Sequence, residues 1–394
     1  MRPAAQTRPA RRWIAWPLVG AVTAALLASC AETSQQTGPG TASGGSTTAR
    51  KAPDNRRKLD VRQVDYAKLP GWFQDRHERA LVAFRQSCSK LGFAWRRPCQ
   101  ALAAVPRNDR TEARQFFERY FNAHLVSNFD GRGFLTGYYE PILDGARERG
   151  GKYQTPIHLP PPDLSTKQPY HTRAQLLSPP LRNSLKPLVW LADPVDAFTL
   201  HIQGSGYIRL AGGGTMRVGV GGTNGHKYVS IGQIMLRERI LTRDKATMQG
   251  IQAWLRAHPK RARDIMNRNP RYIFFRQVRA NGPIGSQGVA LTSRRSLAID
   301  VRYIPFGAPV WLDGTWPGGK RPLRRLVIAQ DTGSAIVGPV RGDLYMGSGP
   351  KALEIAGRMR QRVRFYVLLP RGGELSGRPG LADPALAAAP SDRP

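Results

Sequence analysis

The chain is poor in acidic residues, in cysteine and in clustered histidine. Of its 394 residues only 27 are Asp or Glu, against 60 Lys or Arg, so the formal net charge is +33. There are three cysteines, and the seven histidines are scattered without an HExxH or CxxC spacing. Because zinc sites draw on clustered His and Cys ligands, we predict no metal and no cofactor.

The first 29 residues have the pattern of an export signal. A basic segment precedes an apolar run over 13–27. Leu27, Ala28 and Ser29 then stand directly before Cys30. The run is too short for a firm transmembrane prediction. We expect cleavage before Cys30, lipidation of its thiol, and anchoring in the periplasm, with Ala31 favouring the outer membrane. An ordinary signal peptide with an incidental cysteine is the alternative.

The basic excess predicts an anionic partner. Removal of the four signal-segment arginines would still leave +29. No nucleic-acid motif or regular alternation of basic and aromatic residues is present, so we expect no nucleic-acid partner. An anionic cell-wall polymer or lipid fits an exported, lipid-anchored chain better. Part of the excess is plain Arg-rich composition.

Composition also separates the folded part of the chain from its ends. Residues 30–58 are rich in Ser, Thr, Gly and Pro, which predicts a flexible tether after the lipidated cysteine. Residues 372–394 are rich in Pro, Gly and Ala and are predicted to be disordered. The segment between them is long enough for one large or two ordinary domains.

Within that segment, helical patterns come first and strand patterns later. Apolar residues at helical spacing predict helices over 70–91 and 111–126, with Phe116, Phe117, Tyr120 and Phe121 in a core. Short β-type segments separated by Gly and Pro follow, interrupted by a helical region over 231–267. The pattern predicts a mainly β fold with N-terminal helices, and barrels rather than a doubly wound sheet.

Cys88 and Cys99 are the two cysteines left after the lipidation candidate. In an oxidising compartment they are close enough in sequence to form a small-loop disulfide. Two reduced, partly buried thiols are the alternative. The sequence leaves both states open.

Asp331 and Asp343 are the carboxylates most suggestive of chemistry. Each follows an apolar run and has a glycine within two residues, a setting in which a loop lifts a side chain into a cleft. Asp313 stands in an Asp-Gly pair that predicts a turn, and Glu354 lies in a predicted helix. Two ordinary turn residues are the alternative explanation for Asp331 and Asp343.

Six motifs, in order over about 130–370, together carry a resemblance to a known family. They are GYYEP (137–141), FTLHIQGSGYIRL (198–210), VGGTNGHKYVSIGQIM (220–235), NPRYIFFR (269–276), IDVRYIPFGAPVWL (299–312) and AQDTGSAIVGPVRGDLYMGSG (329–349). The chain resembles the membrane-bound lytic transglycosylase A (MltA) family, whose C-terminal part is the three-aspartate (3D) domain.

The resemblance implies a fold and a reaction. A double-psi β-barrel would be built from residues 59–141 and 284–371, with a smaller β-rich domain, 142–283, inserted between them and a glycan groove between the two. The reaction would be that of a peptidoglycan lytic exotransglycosylase, a lyase that cleaves the MurNAc–GlcNAc bond and leaves 1,6-anhydro-MurNAc ends. Asp343 would be the catalytic acid, with Asp331 its partner and Asp300 the first of the three aspartates.

The chemistry of a carboxylate pair agrees with those roles. An unperturbed Asp has a pKa of ~3.9, so a catalytic acid needs burial or a neighbouring carboxylate to keep its proton. Two aspartates brought together by barrel loops would repel as anions, so one would stay protonated. Asp343 could then serve as acid and later as base, with the sugar's own C6 hydroxyl as nucleophile.

Other residues are candidates for contacts with a glycan strand. Thr136 resembles a family active-site threonine, three tyrosines could stack on sugars, and three polar residues lie in Gly-rich loops. Core or turn roles are the alternative for these tyrosines and polar residues. The candidates are Thr136, Tyr138, Tyr139, Gln203, Tyr207, Asn224 and His226, with Arg209, Arg217 and Arg341 as possible partners of stem-peptide carboxylates.

Two other functional classes stay open on the sequence alone. A muramidase or glucanase on the same fold would use both carboxylates and a water molecule. A wall-binding lipoprotein would keep the groove without chemistry, although the presence of all three motif aspartates argues against it. Endo versus exo action, oligomeric state and protein partners are not determined by the sequence.

Overall fold

The computed structural model describes residues 60–127, 133–166, 168–280 and 282–372. The predicted signal and tether, with Cys30, lie outside them, as does the predicted tail after its first residue, Gly372. Within the described residues the strands are β1 (Asp60–Val64), β2 (Phe121–Ser127), β3 (Gly133–Glu140), β4 (Ile142–Ala146), β5 (Thr155–His158), β6 (Pro187–Leu191), β7 (Ser205–Leu210), β8 (Thr215–Thr223), β9 (Ile273–Gln277), β10 (Ser296–Ala298), β11 (Pro309–Thr315), β12 (Pro322–Asp331), β13 (Arg341–Ser348) and β14 (Arg360–Pro370).

The helices of the same residues are short. The α-helices are α1 (His77–Ser87), α2 (Arg96–Ala101), α3 (Arg110–Tyr120), α4 (Arg173–Leu176), α5 (Leu181–Ser184), α6 (Pro194–Gln203), α7 (Ile231–Arg237), α8 (Met248–Ala257), α9 (Pro259–Asn267) and α10 (Pro350–Ala356). Single 3₁₀ turns cover Tyr66–Lys68, Trp72–Gln74, Cys88–Lys90, Phe93–Trp95 and Leu102–Ala104. None of these described helices is long and apolar enough to cross a membrane.

The first sheet has eight strands, and six of them form a closed ring. Its order is β1-β2-β14-β11-β12-β10-β13-β3, and β14 also pairs with β3. The pairs β10–β12 and β13–β3 are parallel, whereas the others are antiparallel. The strands come from both ends of the folded chain. Closure therefore leaves no free edge within the ring.

The aromatic core of this sheet lies beneath α1 and α3. Trp72, Phe84, Phe117 and Trp311 are fully buried, and Trp72 meets Trp311 edge-on at 5.1 Å between ring centroids. The predicted burial of Phe116, Phe117 and Phe121 is confirmed, whereas Tyr120 is only partly buried against the same core. Each such ring removes a large apolar surface from water, which stabilises the attachment of the N-terminal helices to the strands.

The structure corrects three details of the predicted local structure. The helix expected over 70–91 is shorter, because α1 covers only His77–Ser87 and 3₁₀ turns lie before and after it. The helix expected over 111–126 ends at Tyr120, and Phe121 begins β2, which pairs with β1 and β14. The Phe-x-Ala-x-Leu alternation after Tyr120 fits a strand as well, and pairing with two neighbours decides between the periods. Asp313, predicted in a turn, instead lies in β11, where it pairs with Arg324 and Arg364. Glu354 lies in α10 as predicted.

The second sheet is built entirely from residues 142–277. Its six strands run in the order β5-β6-β4-β7-β8-β9. Fully buried Ile157, Val189, Ile208 and Phe275 form its core. A separate apolar cluster joins α6 to the helices of the region 231–267, which the sequence predicted to be helical.

Cys88 and Cys99 form a disulfide, one of the two states that the sequence left open. The bond links the 3₁₀ turn after α1 to α2. Among the described residues no group of three or more His, Cys, Asp or Glu side chains is placed to hold a metal ion.

Candidate active site

A groove runs between the two sheets. Its two adjoining parts have volumes of about 470 and 500 Å³ and share Tyr138, Gln203 and Asp331 in their walls. Strands β3, β12 and β13 form one side, while α6, α7 and α8 contribute to the other side of the first part. Strands β8 and β9 line the second part. Each part has a volume typical of a ligand-binding cleft.

Asp343 projects from β13 next to Thr136 of the parallel strand β3. The two residues are register partners, and the Thr136 hydroxyl donates to Asp343 Oδ1 at 2.8 Å. Arg341 Nη2 donates in turn to Thr136 Oγ1 at 2.9 Å. Within the described chain, Oδ2 of Asp343 has no hydrogen-bond partner. That oxygen is therefore available to a ligand in the groove.

Asp331 ends β12 and has a much richer set of donors. Tyr138 donates its hydroxyl to Oδ2 at 2.7 Å. Oδ1 accepts the backbone N–H and the hydroxyl of Ser286 and the backbone N–H of Thr332, each at 2.9 Å. Hydrogen bonds to the ionised form stabilise it. The four donors therefore make Asp331 the better site for the negative charge of the pair.

Electrostatics separate the two aspartates in the same direction. Burial raises the pKa of Asp343 to about 6, opposed by the Arg341 cation and the Thr136 hydrogen bond and assisted by the charge of Asp331. Burial also raises the pKa of Asp331, and the hydrogen bonds from Tyr138, Ser286 and Thr332 act against that rise. With a pKa of about 6, the Asp343 carboxyl stays protonated up to a higher pH than an exposed aspartate does.

Asp300 has a different role from the other two motif aspartates. It does not line either part of the groove. Its carboxylate accepts from the Arg302 guanidinium and from the backbone N–H of Gly338. Burial raises its pKa, but these hydrogen bonds and the Arg302 charge lower the pKa overall. Asp300 thus remains ionised and ties down the loop between β12 and β13.

Four of the seven predicted binding residues line the groove: Thr136, Tyr138, Tyr139 and Gln203. Tyr138 is committed to Asp331, and its ring lies 5.4 Å from that of Tyr345. Gln203 accepts from the Tyr139 backbone N–H at 3.1 Å, which joins the end of α6 to β3.

The structure does not bring the other three to the groove. Asn224 is completely buried, where it donates to two backbone carbonyls and accepts the Tyr272 N–H. His226 bonds the carbonyl of Tyr170 through Nε2. Tyr207 donates to Thr215 and lies under the Arg217 guanidinium. All three hold loops or strands together instead.

Sequence reasoning missed Ser286 and the contacts of Arg341 with Thr136 and Asp343. Ser286 lies in a Gly-rich loop before β10 and bonds Asp331 twice, but nothing in the sequence distinguishes it from other loop serines. Arg341, a predicted partner of a stem-peptide carboxylate, lines the groove and also lies beside Thr136 and Asp343. Its position two residues before Asp343 in one strand places both side chains on the same face, which was the available signal.

Comparisons with known proteins agree with this architecture. The family described as MltA specific insert domain matches residues 134–276, and the 3D domain matches residues 295–369. Membrane-bound lytic murein transglycosylase A of Escherichia coli K12 is 30% identical over 267 residues, which is 66% of this chain and 72% of that protein.

Two solved structures are also similar. Lytic transglycosylase LtgG of Burkholderia pseudomallei is 43% identical, with 79% of this chain and 96% of that chain covered and a TM-score of 0.58. E. coli MltA with bound chitohexaose is 27% identical, with 80% and 94% covered and a TM-score of 0.62. With its two matching domains and its two sheets, this chain belongs to the MltA family and carries a C-terminal 3D domain.

Proposed function

We propose that this protein is a lytic transglycosylase of peptidoglycan, which cleaves the β-1,4 bond between MurNAc and GlcNAc and leaves a 1,6-anhydro-MurNAc end. Family membership, the relatives named as murein or lytic transglycosylases, and the chitohexaose bound by E. coli MltA support it. The observation that carries it is the contrast between Asp343, with one free oxygen in the groove, and Asp331, which accepts four hydrogen bonds.

Asp343 is the general acid of the first step. Its protonated carboxyl donates to the glycosidic oxygen as the bond from that oxygen to C1 of MurNAc breaks, so the GlcNAc leaves as an alcohol. Asp331 remains ionised and, together with burial, keeps the proton on Asp343 until the substrate accepts it. Thr136 holds Oδ1 of Asp343 and directs Oδ2 toward the groove.

The same residue is the base of the second step. Asp343, now ionised, takes the proton of the MurNAc C6 hydroxyl, and that oxygen forms the new bond to C1. The step closes the 1,6-anhydro ring and restores the protonated acid. No water molecule is consumed, so a single carboxyl serves both halves of the reaction.

We further propose that the two sheets belong to two domains. The closed ring would be a double-psi β-barrel domain formed by residues 59–141 and 284–371, and 142–283 would be an inserted domain. The parallel pairs β10–β12 and β13–β3, and a second sheet confined to 142–277, support this division. The glycan strand would lie in the groove between them.

We also propose a periplasmic location with a lipid anchor on Cys30, as the membrane-bound relatives suggest. Cys30→Ala should release the protein into the soluble fraction. Wild-type protein recovered without lipid and free of membranes would contradict the anchor. The same fractionation separates inner from outer membrane.

Digestion of purified sacculi in ¹⁸O-labelled water tests the reaction itself. The expected products carry 1,6-anhydro-MurNAc ends and no label at C1. Labelled reducing ends would make the enzyme a muramidase and overturn the proposal. Asp313→Asn is the matched control, because Asp313 is a buried carboxylate of the same sheet outside the groove and its loss should leave the product type unchanged.

A further inference from the structure

A second cavity, of about 540 Å³, lies within the inserted region and apart from the two aspartates. Helices α6, α8 and α9 and the segment around α4 and α5 contribute its walls. Of the residues that the structure describes, His201 alone lines both this cavity and the groove. The cavity has the size of a site for a small organic molecule.

Arg173 in the wall of this cavity is a buried cation without a counter-ion. It is only 3% exposed, and no carboxylate among the described residues pairs with it. Its guanidinium donates to the carbonyls of Asn269 and Arg271 and stacks over the rings of Phe198 and Tyr272. Burial lowers its pKa to about 10, so the group remains charged at neutral pH. Buried charges in proteins are normally paired.

Other charges in the wall do not supply the missing partner. Arg182 and Arg263 also line the cavity, and neither forms an ion pair with a described residue. Arg256 is paired with Asp193 and Asp196 at 2.6 and 2.5 Å. Arg256 with its two aspartates has one net negative charge, whereas Arg173, Arg182 and Arg263 have three positive charges. The electrostatic field in the cavity therefore favours an anion.

Much of the remaining wall is apolar, although Gln154, Thr155 and Asn267 also contribute to it. Leu177, Val195, Leu255 and Met266 line the cavity beside the arginines. A small inorganic anion would leave this surface unused, whereas an apolar tail would cover it. The combination of one buried cation and an apolar wall defines a ligand with two parts.

We propose that this cavity binds a small organic carboxylate with an apolar body, its carboxylate on Arg173 and its body against the helices α6, α8 and α9. A peptide C-terminus with small apolar residues and a short fatty acid share this chemistry. The site does not depend on the proposed glycan chemistry, because Asp331 and Asp343 lie outside the cavity.

Calorimetric titration of the folded protein with matched acid and neutral probes tests the site. The probes are acetyl-Ala-Ala against its amide, and octanoate against octanol. We expect millimolar or tighter binding of at least one acid and much weaker binding of its neutral partner. Preference for the dipeptide would identify a peptide end, and preference for octanoate a fatty acid. No acid binding at millimolar concentration, or equal binding of acid and neutral probe, overturns the proposal.

Variants locate the binding. Arg173→Met should weaken acid binding by about tenfold or more, because a charge-assisted contact is lost. Since that change also leaves two carbonyls unpaired, the double variant Arg182→Gln with Arg263→Gln provides a second measurement at exposed positions. Arg261→Gln is the control for the double variant. Arg261 is exposed on α9, the helix that carries Arg263, but it does not line the cavity. Equal weakening by the control, or unchanged binding in both cavity variants, refutes the site.

Discussion

Asp75, which is buried, and Asp343, which is half-buried, have pKa values shifted in opposite directions. Asp75 lies beneath the strands, where Arg295 donates to both of its oxygens at 2.7 and 2.9 Å and Leu326 adds a backbone N–H. Asp343 faces the groove and accepts one hydrogen bond from Thr136. Burial raises the pKa of both, yet the Arg295 contacts and the Leu326 N–H lower that of Asp75 overall, while Asp343 reaches about 6.

The difference shows that burial alone does not set the charge of a carboxyl group. A buried Asp remains ionised where an arginine and a backbone donor replace the lost hydration. It keeps its proton where such partners are too few, and the proton is then available for catalysis. Substitutions at the two positions should therefore affect different properties, namely stability at Asp75 and turnover at Asp343.

Asp343→Asn should give the largest effect. It removes the proton donor and the later base with little change of shape, so turnover on sacculi should fall by ~10²–10⁴. Asp331→Asn should be milder and should act through the pH profile. Glycan affinity, measured with inactive variants on labelled sacculi, should survive. An active Asp343→Asn with an inactive Asp331→Asn would exchange the two roles.

Asp75→Asn should instead lower stability by about 3–5 kcal/mol, because it leaves the Arg295 charge buried without a partner. Denaturant unfolding measures this loss. Asp343→Asn is the matched comparison. Burial disfavours the ionised form of Asp343, so the variant protein should be as stable as the wild type near pH 7, or more stable. Equal destabilisation by both variants would contradict the comparison.

His77 provides a pH test of the core beside Asp75. Burial lowers the pKa of His77 to about 4, against ~6.5 in an unfolded chain. As the pH falls, the unfolded state therefore takes up the proton at a higher pH than the folded state does. The free energy of unfolding is unaffected by His77 titration above about pH 6.5, and it decreases by up to ~3 kcal/mol as the pH falls toward 4. His77→Phe should flatten this part of the stability curve. An unchanged acid midpoint would contradict it.

Arg341→Met should have the smallest effect, a shift in pH dependence. The Arg341 cation lowers the pKa of Asp343, so its removal should raise that pKa. Because the acid must be protonated, activity falls as pH rises through about 6, and this limb of kcat/KM should move to higher pH. Arg341→Lys retains the charge and should move the limb less. A limb that stays in place in both variants would show that Arg341 does not tune Asp343.

Local patterns were sufficient for much of the fold. The helix over α1, the helical region 231–267 and the strand-rich remainder follow from apolar periodicity, and Asp331 and Asp343 followed from carboxylate scarcity and from motif resemblance. The end of α3 at Tyr120 could not be placed, because the residues after it satisfy both periods and only pairing with β1 and β14 makes them a strand. Both aspartates were expected on loops, but Asp331 ends β12 and Asp343 lies within β13.

The amino-acid sequence by itself determined the residue types of the site, the order of the elements and the family. Tertiary structure decided the division of labour, because charge state depends on neighbours that are distant in sequence. Tyr138 and Ser286 reach Asp331 from 193 and 45 residues away, and Thr136 reaches Asp343 from 207. Asn224 is of a residue type that often binds ligands, yet its buried side chain forms hydrogen bonds with three distant backbone groups and so links segments of the fold. Such contacts arise only when the strands of the closed first sheet and of the second sheet come together in the folded chain.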